Sequence, residues 1–198
     1  ANAYRQDTLS GSSLNKNKYL DKIIKEEAAK HKEGWYEDTW SSIIANDGSV
    51  QHLTWMDDET KELLDNFVEM NLGLTERIDP DTYHTTIIYS RTPVPTAENL
   101  RSGPATGQAT GYEVFPTKTG DKCLVMRVDC AAADMLNKQL TKMGATSDYD
   151  VYKPHVTICY NYTGPDDVSE LPVPQFPLGF KGFEVKPLDP EYVPANKE

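Results

Sequence analysis

Hydrophobic positions have no regular spacing over residues 1–13, a Ser-, Asn- and Gly-rich stretch that reads as disordered or extended. In the next segment, LNKNKYLDKIIKEEAAKHKEG, Leu14, Tyr19, Leu20, Ile23, Ile24 and Ala28 fall near helical spacing before a stop at Gly34. This predicts an amphipathic helix within a polar arm over residues 1–45, its stripe turned toward the body of the chain or toward a partner. From Gly48 the rhythm changes. SVQHLTWM alternates as a strand should after an Asn-Asp-Gly turn. DDETKELLDNFVEMNLG follows, with acids in its first turn and an apolar stripe of Leu63, Leu64, Phe67, Val68 and Leu72, so a helix is predicted up to Gly73.

YHTTIIY then predicts a second strand, and RTPVPTAENLRSGPATG a loop. Two strands, ATGYEVFPT and KCLVMRVDC, flank the turn KTGD, and a helix is predicted over Ala132–Met143, ending at Gly144. The strand HVTICYNY follows the lead-in DYDVYKP, and GFKGFEVKPL is the last predicted strand. Each half therefore passes through a strand and a helix to a strand that begins at a histidine, which points to an internal duplication.

That duplication is where chemistry enters. His84-Thr85-Thr86-Ile87 and His155-Val156-Thr157-Ile158 share the pattern His-x-Thr followed by an apolar residue, 71 residues apart. Residues i and i+2 of a strand share a face. Each motif thus presents an imidazole and a hydroxyl together, while Thr85, Ile87, Val156 and Ile158 turn to the other side. If the two strands lie side by side, a cleft receives two imidazoles and two hydroxyls, the set that phosphodiester cleavage needs. One neutral imidazole takes a proton from the attacking hydroxyl and a protonated one supplies the leaving oxygen. Thr86 and Thr157 would donate hydrogen bonds to the non-bridging oxygens as charge develops. A single such motif would be read as a strand histidine capping a local hydrogen bond; the second copy favours catalysis.

The paired motifs resemble those of the two-histidine, or LigT-like, phosphoesterases over roughly residues 46–190. More narrowly, HTTIIYSRTPVP and KPHVTICY look like the phage anti-CBASS phosphodiesterases, which destroy cyclic di- and trinucleotide messengers of bacterial antiviral signalling. The resemblance implies an α+β, bilobal, pseudo-two-fold fold with antiparallel sheets around a central cleft and helices outside, occupying residues 46–198 after the arm. It implies that His84, Thr86, His155 and Thr157 take the catalytic and phosphate-binding positions. It also implies a 3′–5′ phosphodiester beside a 2′-hydroxyl, opened without metal or cofactor. Which histidine is base and which is acid does not follow from it. The arm departs from the compact stand-alone phage enzymes, and offers a route to self-association or to a larger phage protein.

Further candidates surround the motifs. Tyr89 and Arg91 follow the first; Tyr152 and Lys153 precede the second, and Tyr160 and Tyr162 follow it. Aromatic faces suit nucleobases and cations suit phosphates, although most such residues are ordinary strand tyrosines and solvated charges. His52 and Trp55, on the first predicted strand, are candidates for the same cleft. Glu184 is a candidate acceptor for a base amino group. His31, in the arm, is given no catalytic role.

Composition narrows the substrate. Among 198 residues, 20 Lys and Arg against 31 Asp and Glu give a formal net charge of −11, which disfavours long nucleic acid but leaves a small phosphorylated ligand open. The 38% hydrophobic share suits one domain with a polar extension. No apolar run nears the roughly 20 residues of a membrane helix, and the first residues lack a signal-peptide core. The expectation is a soluble protein with no membrane partner, in the host-cell cytoplasm if phage-encoded. A chain that starts with Ala is expected to be an excerpt or a trimmed polypeptide. Cys123, Cys130 and Cys159 lack metal-type spacing and read as reduced packing residues. Three alternatives stay open: a 2′,3′-cyclic phosphodiesterase acting on RNA ends, a non-catalytic nucleotide-binding module of a phage portal-type protein, and a histidine metal site.

Overall fold

The computed structural model describes residues 49–94, 103–117 and 120–187. The predicted arm, His31 and residues 95–102 of the Pro-rich loop lie outside the described residues. The elements run β1 (Val50–Met56), α1 (Asp58–Asn71), a 3-10 turn (Pro80–Thr82), β2 (His84–Ser90), β3 (Ala105–Pro116), β4 (Lys122–Asp129), α2 (Ala131–Lys142), β5 (His155–Cys159) and β6 (Leu178–Pro187). Every predicted strand and helix in the described residues is present, so the fold is α+β.

The six strands form one sheet in the order β2-β1-β6-β3-β4-β5, with every neighbouring pair antiparallel. Its centre is thin: β6 and β3 pair only over Ala105–Gly107 against Leu178–Phe180. Beyond that seam β6 turns to β1 and β3 turns to β4, and the sheet splits into two three-stranded lobes. The expectation that the histidine strands lie side by side needs correcting. β2 and β5 are the two edges of the sheet, and they meet because the lobes fold toward each other, so that β2 packs on β5. Side-chain and loop bonds close the approach: the Tyr152 hydroxyl donates to the Thr86 carbonyl at 2.8 Å, and the Ile78 amide to the Ile158 carbonyl at 3.1 Å.

Alternation fills the core. Thr85, Ile87, Val156 and Ile158 are all essentially buried, as expected of the faces opposite the His-x-Thr side chains. Leu64 and Val68 of α1 and Ala133 and Leu140 of α2 join one core with Met56, Tyr83, Leu124, Met126 and Phe180. α1 starts at Asp57, whose carboxylate accepts the Thr60 amide at 2.8 Å. α2 is pinned to the sheet by Asn137, whose amide donates to the Ile87 carbonyl at 2.8 Å. That carbonyl needs a partner because Ile87 is the extra residue of a bulge: Leu53 faces Thr86 while His52 faces Ile88. The bulge shifts the alternation, burying both Ile87 and Ile88 and returning Tyr89 to the face of His84 and Thr86.

Candidate active site

Both histidines open their strands, and each is fixed from behind in the same way. Nδ1 of His84 lies 2.8 Å from the Thr82 carbonyl, and Nδ1 of His155 lies 2.8 Å from the Lys153 carbonyl. A carbonyl oxygen only accepts, so Nδ1 carries the proton in both rings and Nε2 is left as the reactive atom. Each imidazole also has an aromatic neighbour from the facing strands. The Trp55 ring of β1 sits 5.4 Å from His84, tilted by 59°, and the Phe115 ring of β3 sits 5.6 Å from His155, edge-on at 87°. Thr86 and Thr157 are half-buried on the same strand faces as their histidines.

Burial lowers the pKa of His84 from its usual value, the Thr82 carbonyl partly offsets this, and the positive charges of Lys186 and His155 lower it further. His155 is likewise lowered by burial, with Lys153's carbonyl raising it, Arg127 lowering it and Glu113 raising it. The charge of His155 reaches His84 across the contact between β2 and β5. Two nitrogen bases with nearby hydroxyls and cations can move a proton on either side of a phosphodiester.

The remaining candidates are divided by the structure. Trp55 is in the cleft, its indole donating to Glu184 and its face covered by the Lys186 ammonium 5.4 Å from the centroid. Glu184 is therefore engaged by Trp55. Tyr89 accepts from the Thr86 hydroxyl at 3.3 Å, and Tyr160 is exposed. Arg91 is brought to Asp148, 3.3 Å away, and its backbone amide to Thr146. Lys153 is exposed and contributes its carbonyl to His155. Tyr152 serves as a strut under Thr86, and burial pushes its phenol pKa up. Tyr162 is buried and donates to the Pro165 carbonyl at 2.9 Å.

His52 does not line the cleft. It shares the opposite face with Thr54, is fully buried, and stacks on Phe183 at 5.4 Å and 6° with no hydrogen-bond partner for either ring nitrogen. Burial lowers its pKa to about 4. Its neighbour Gln51 is the residue that sequence reasoning passed over. The Gln51 amide nitrogen lies 2.9 Å from the Thr86 hydroxyl, 3.4 Å from the Tyr89 hydroxyl and 3.4 Å from Nε2 of His84. The signal was available, since strand alternation puts Gln51 and Trp55 on one face and His52 on the other. Phe115, Lys186 and the Arg127–Glu113 ion pair complete the cleft and were equally unmarked. Among the described residues no group of three or more His, Cys, Asp or Glu side chains could hold a metal ion, and no helix is long and apolar enough to cross a membrane.

A family model described as "Anti-CBASS protein Acb1" matches residues 53–194, most of the chain and both histidine motifs. The chain is 30% identical over 131 residues to the anti-CBASS protein Acb1 of Vibrio phage KVP40, covering 65% of this chain and 81% of that one. A different relative is the large subunit of ribonucleoside-diphosphate reductase from Invertebrate iridescent virus 6, 45% identical over 73 residues, which are 36% of this chain but 7% of the reductase. Among solved structures, E. coli LigT complexed with NADP+ aligns with a TM-score of 0.51 at 13% identity, over 69% of this chain and 85% of that one. A Thermus thermophilus protein aligns with a TM-score of 0.52, also at 13% identity, over 69% and 86%. These two likenesses establish a shared fold.

Proposed function

The chain belongs to the anti-CBASS protein Acb1 family, and from that premise we propose that it is a metal-independent phosphodiesterase that opens 3′–5′ bonds of small cyclic di- or trinucleotide messengers, acting in the host cytoplasm. The observation that carries the reading is the matched pair of imidazoles, each tied through Nδ1 to the carbonyl two residues earlier, which leaves Nε2 as the reactive atom, on two strands that pack on each other. In this reaction a ribose 2′-hydroxyl attacks the adjacent phosphorus. One Nε2 takes the 2′ proton as the O2′–P bond forms, and the other gives a proton to O5′ as the P–O5′ bond breaks. The product is a linear oligonucleotide with a 2′,3′-cyclic phosphate and a 5′-hydroxyl. Thr86 accepts from Gln51 at 2.9 Å and donates to the Tyr89 hydroxyl over a longer 3.3 Å, a bond that a phosphate oxygen would replace, and Thr157 occupies the equivalent place beside His155. Trp55, Phe115, Tyr89 and Tyr160 offer aromatic surface to the bases. Lys186, beside Trp55 and His84, supplies positive charge for the phosphates.

The test is to incubate the protein, with EDTA, with 3′,3′-cyclic GMP-AMP and cyclic tri-adenylate and to identify products by mass spectrometry. Linear products are expected. His84→Ala and His155→Ala should each lower turnover by about 10²–10⁴-fold with an unchanged circular dichroism spectrum. Intact cyclic ligands together with hydrolysis of RNA 2′,3′-cyclic ends would replace this reading with the RNA-end reaction, and intact ligands of both kinds with a binding module.

A further inference from the structure

The two histidines are alike behind the ring and unlike in front of it. In front of His84 the amide of Gln51, itself buried, gives one N–H to the Thr86 hydroxyl at 2.9 Å and shares the other between the Tyr89 hydroxyl and Nε2 of His84, each 3.4 Å away. An amide N–H can donate to a bare ring nitrogen but opposes an N–H, so this contact favours the neutral ring. The charges facing His84 act the same way. Lys186 of β6 and His155 of β5 both lower its pKa, Glu184 of β6 accepts the Trp55 indole N–H, and Tyr89 on its own strand shares the Gln51 amide. In front of His155 the picture differs. Among the described residues no side chain hydrogen-bonds its Nε2. Arg127 of β4 and Glu113 of β3 face it as an ion pair whose opposite charges largely cancel.

We infer that Gln51 orders the pair: its amide holds Nε2 of His84 bare, making His84 the general base toward the 2′-hydroxyl and leaving His155 to protonate the departing O5′. The inference rests on the phosphodiesterase reading. Gln51 is a positioning residue in it, since it acts on the substrate through His84. In the bond-breaking step the proton leaves O2′ for His84 and a different proton reaches O5′ from His155, so the pair ends with its protonation states exchanged and proton exchange with solvent restores them.

The experiment compares two substrates with the same nucleophile and different leaving groups. One is 3′,3′-cyclic GMP-AMP, whose ribose oxygen must be protonated as it leaves. The other is adenosine 3′-(4-nitrophenyl phosphate), whose nitrophenolate leaves without a proton. His155→Ala should lose about 10²–10⁴-fold on the dinucleotide but less than about tenfold on the aryl ester, whereas His84→Ala should lose about 10²–10⁴-fold on both. With the aryl ester, kcat/KM against pH reads the base alone. Gln51→Glu replaces the donor with an acceptor and should move that limb about one pH unit upward; Gln51→Met, which keeps the length and loses the donor, should move it the same way by less. Rescue of His84→Ala rather than His155→Ala, or equal losses, would overturn the assignment. An unmoved limb in both folded Gln51 variants would remove Gln51 from it. Wild-type protein that turns over neither substrate would overturn the phosphodiesterase reading and the inference with it.

Discussion

At the scale of single residues, three histidines of one type are separated by what surrounds them. His84 and His155 each keep a carbonyl on Nδ1 and an open Nε2, so burial lowers their pKa values without stopping them from exchanging protons. His52 has neither a partner nor solvent, and its pKa falls from 6.5 to about 4. As pH drops below 6.5 the unfolded chain binds a proton at this position and the folded chain does not, so stability falls until the folded-state pKa near 4 is reached. The difference of about 2.5 pH units corresponds to about 3 kcal/mol lost between neutral pH and pH 4. His52→Phe keeps the stack on Phe183 and removes the titration. Urea denaturation of both proteins at the two pH values should show the wild type losing about 3 kcal/mol more than the variant. Equal losses would mean that the buried imidazole finds a compensating partner on protonation.

At the scale of elements, the two lobes depend on small couplings between strand and helix. Gly179 of β6 sits against the cap of α1: its carbonyl accepts the Asp57 amide at 2.9 Å, and its amide donates to the Thr60 hydroxyl at 3.0 Å. A Cβ at this position would collide with the Asp57 carboxylate. Gly179→Ala should therefore displace the cap and cost about 1–2 kcal/mol. In an Asp57→Ala background most of that penalty should vanish, and a double-mutant cycle by thermal or urea denaturation that gives additive losses would contradict the coupling. Such contacts mark the limit of what the sequence makes legible. Alternation and turn residues reveal β1, β2, β4 and β5, and the stripe of Leu64 and Val68 reveals α1, because burial imposes those periods locally. The bulge at Ile87 is invisible in HTTIIYS, since two adjacent isoleucines read equally well as one buried and one facing the cleft. It nevertheless decides that Tyr89, and not Ile88, stands beside Thr86. The same one-residue sensitivity of strands moves His52 out of the cleft and Gln51 into it. The distant order of β2 and β5 in the sheet is set by long-range pairing, which no local pattern encodes.

At the scale of the whole molecule, the chain carries a formal net charge of −11, while the site sets Lys186, Arg127 and two histidines beside Glu113 and Glu184, so that its charges are close to balanced. These act over different ranges. A cyclic dinucleotide with two phosphates fits within the reach of the local cations, where hydrogen bonds and close charges dominate. A long RNA must also approach the rest of a net acidic chain, against a repulsion that grows with every phosphate outside the cleft. At ~20 mM salt that repulsion extends some 20 Å, and at ~500 mM it shrinks to a few ångströms. Cleavage of a single-stranded RNA should thus be at least about tenfold slower in kcat/KM than that of 3′,3′-cyclic GMP-AMP at low salt, and added salt should narrow the gap by speeding the RNA reaction. Proteins built to bind nucleic acid respond with the opposite sign, because salt weakens their phosphate contacts. Initial rates on both substrates across a salt series distinguish the two cases. RNA cleavage that falls steeply with salt would place a cationic track on the surface and reverse the argument from net charge.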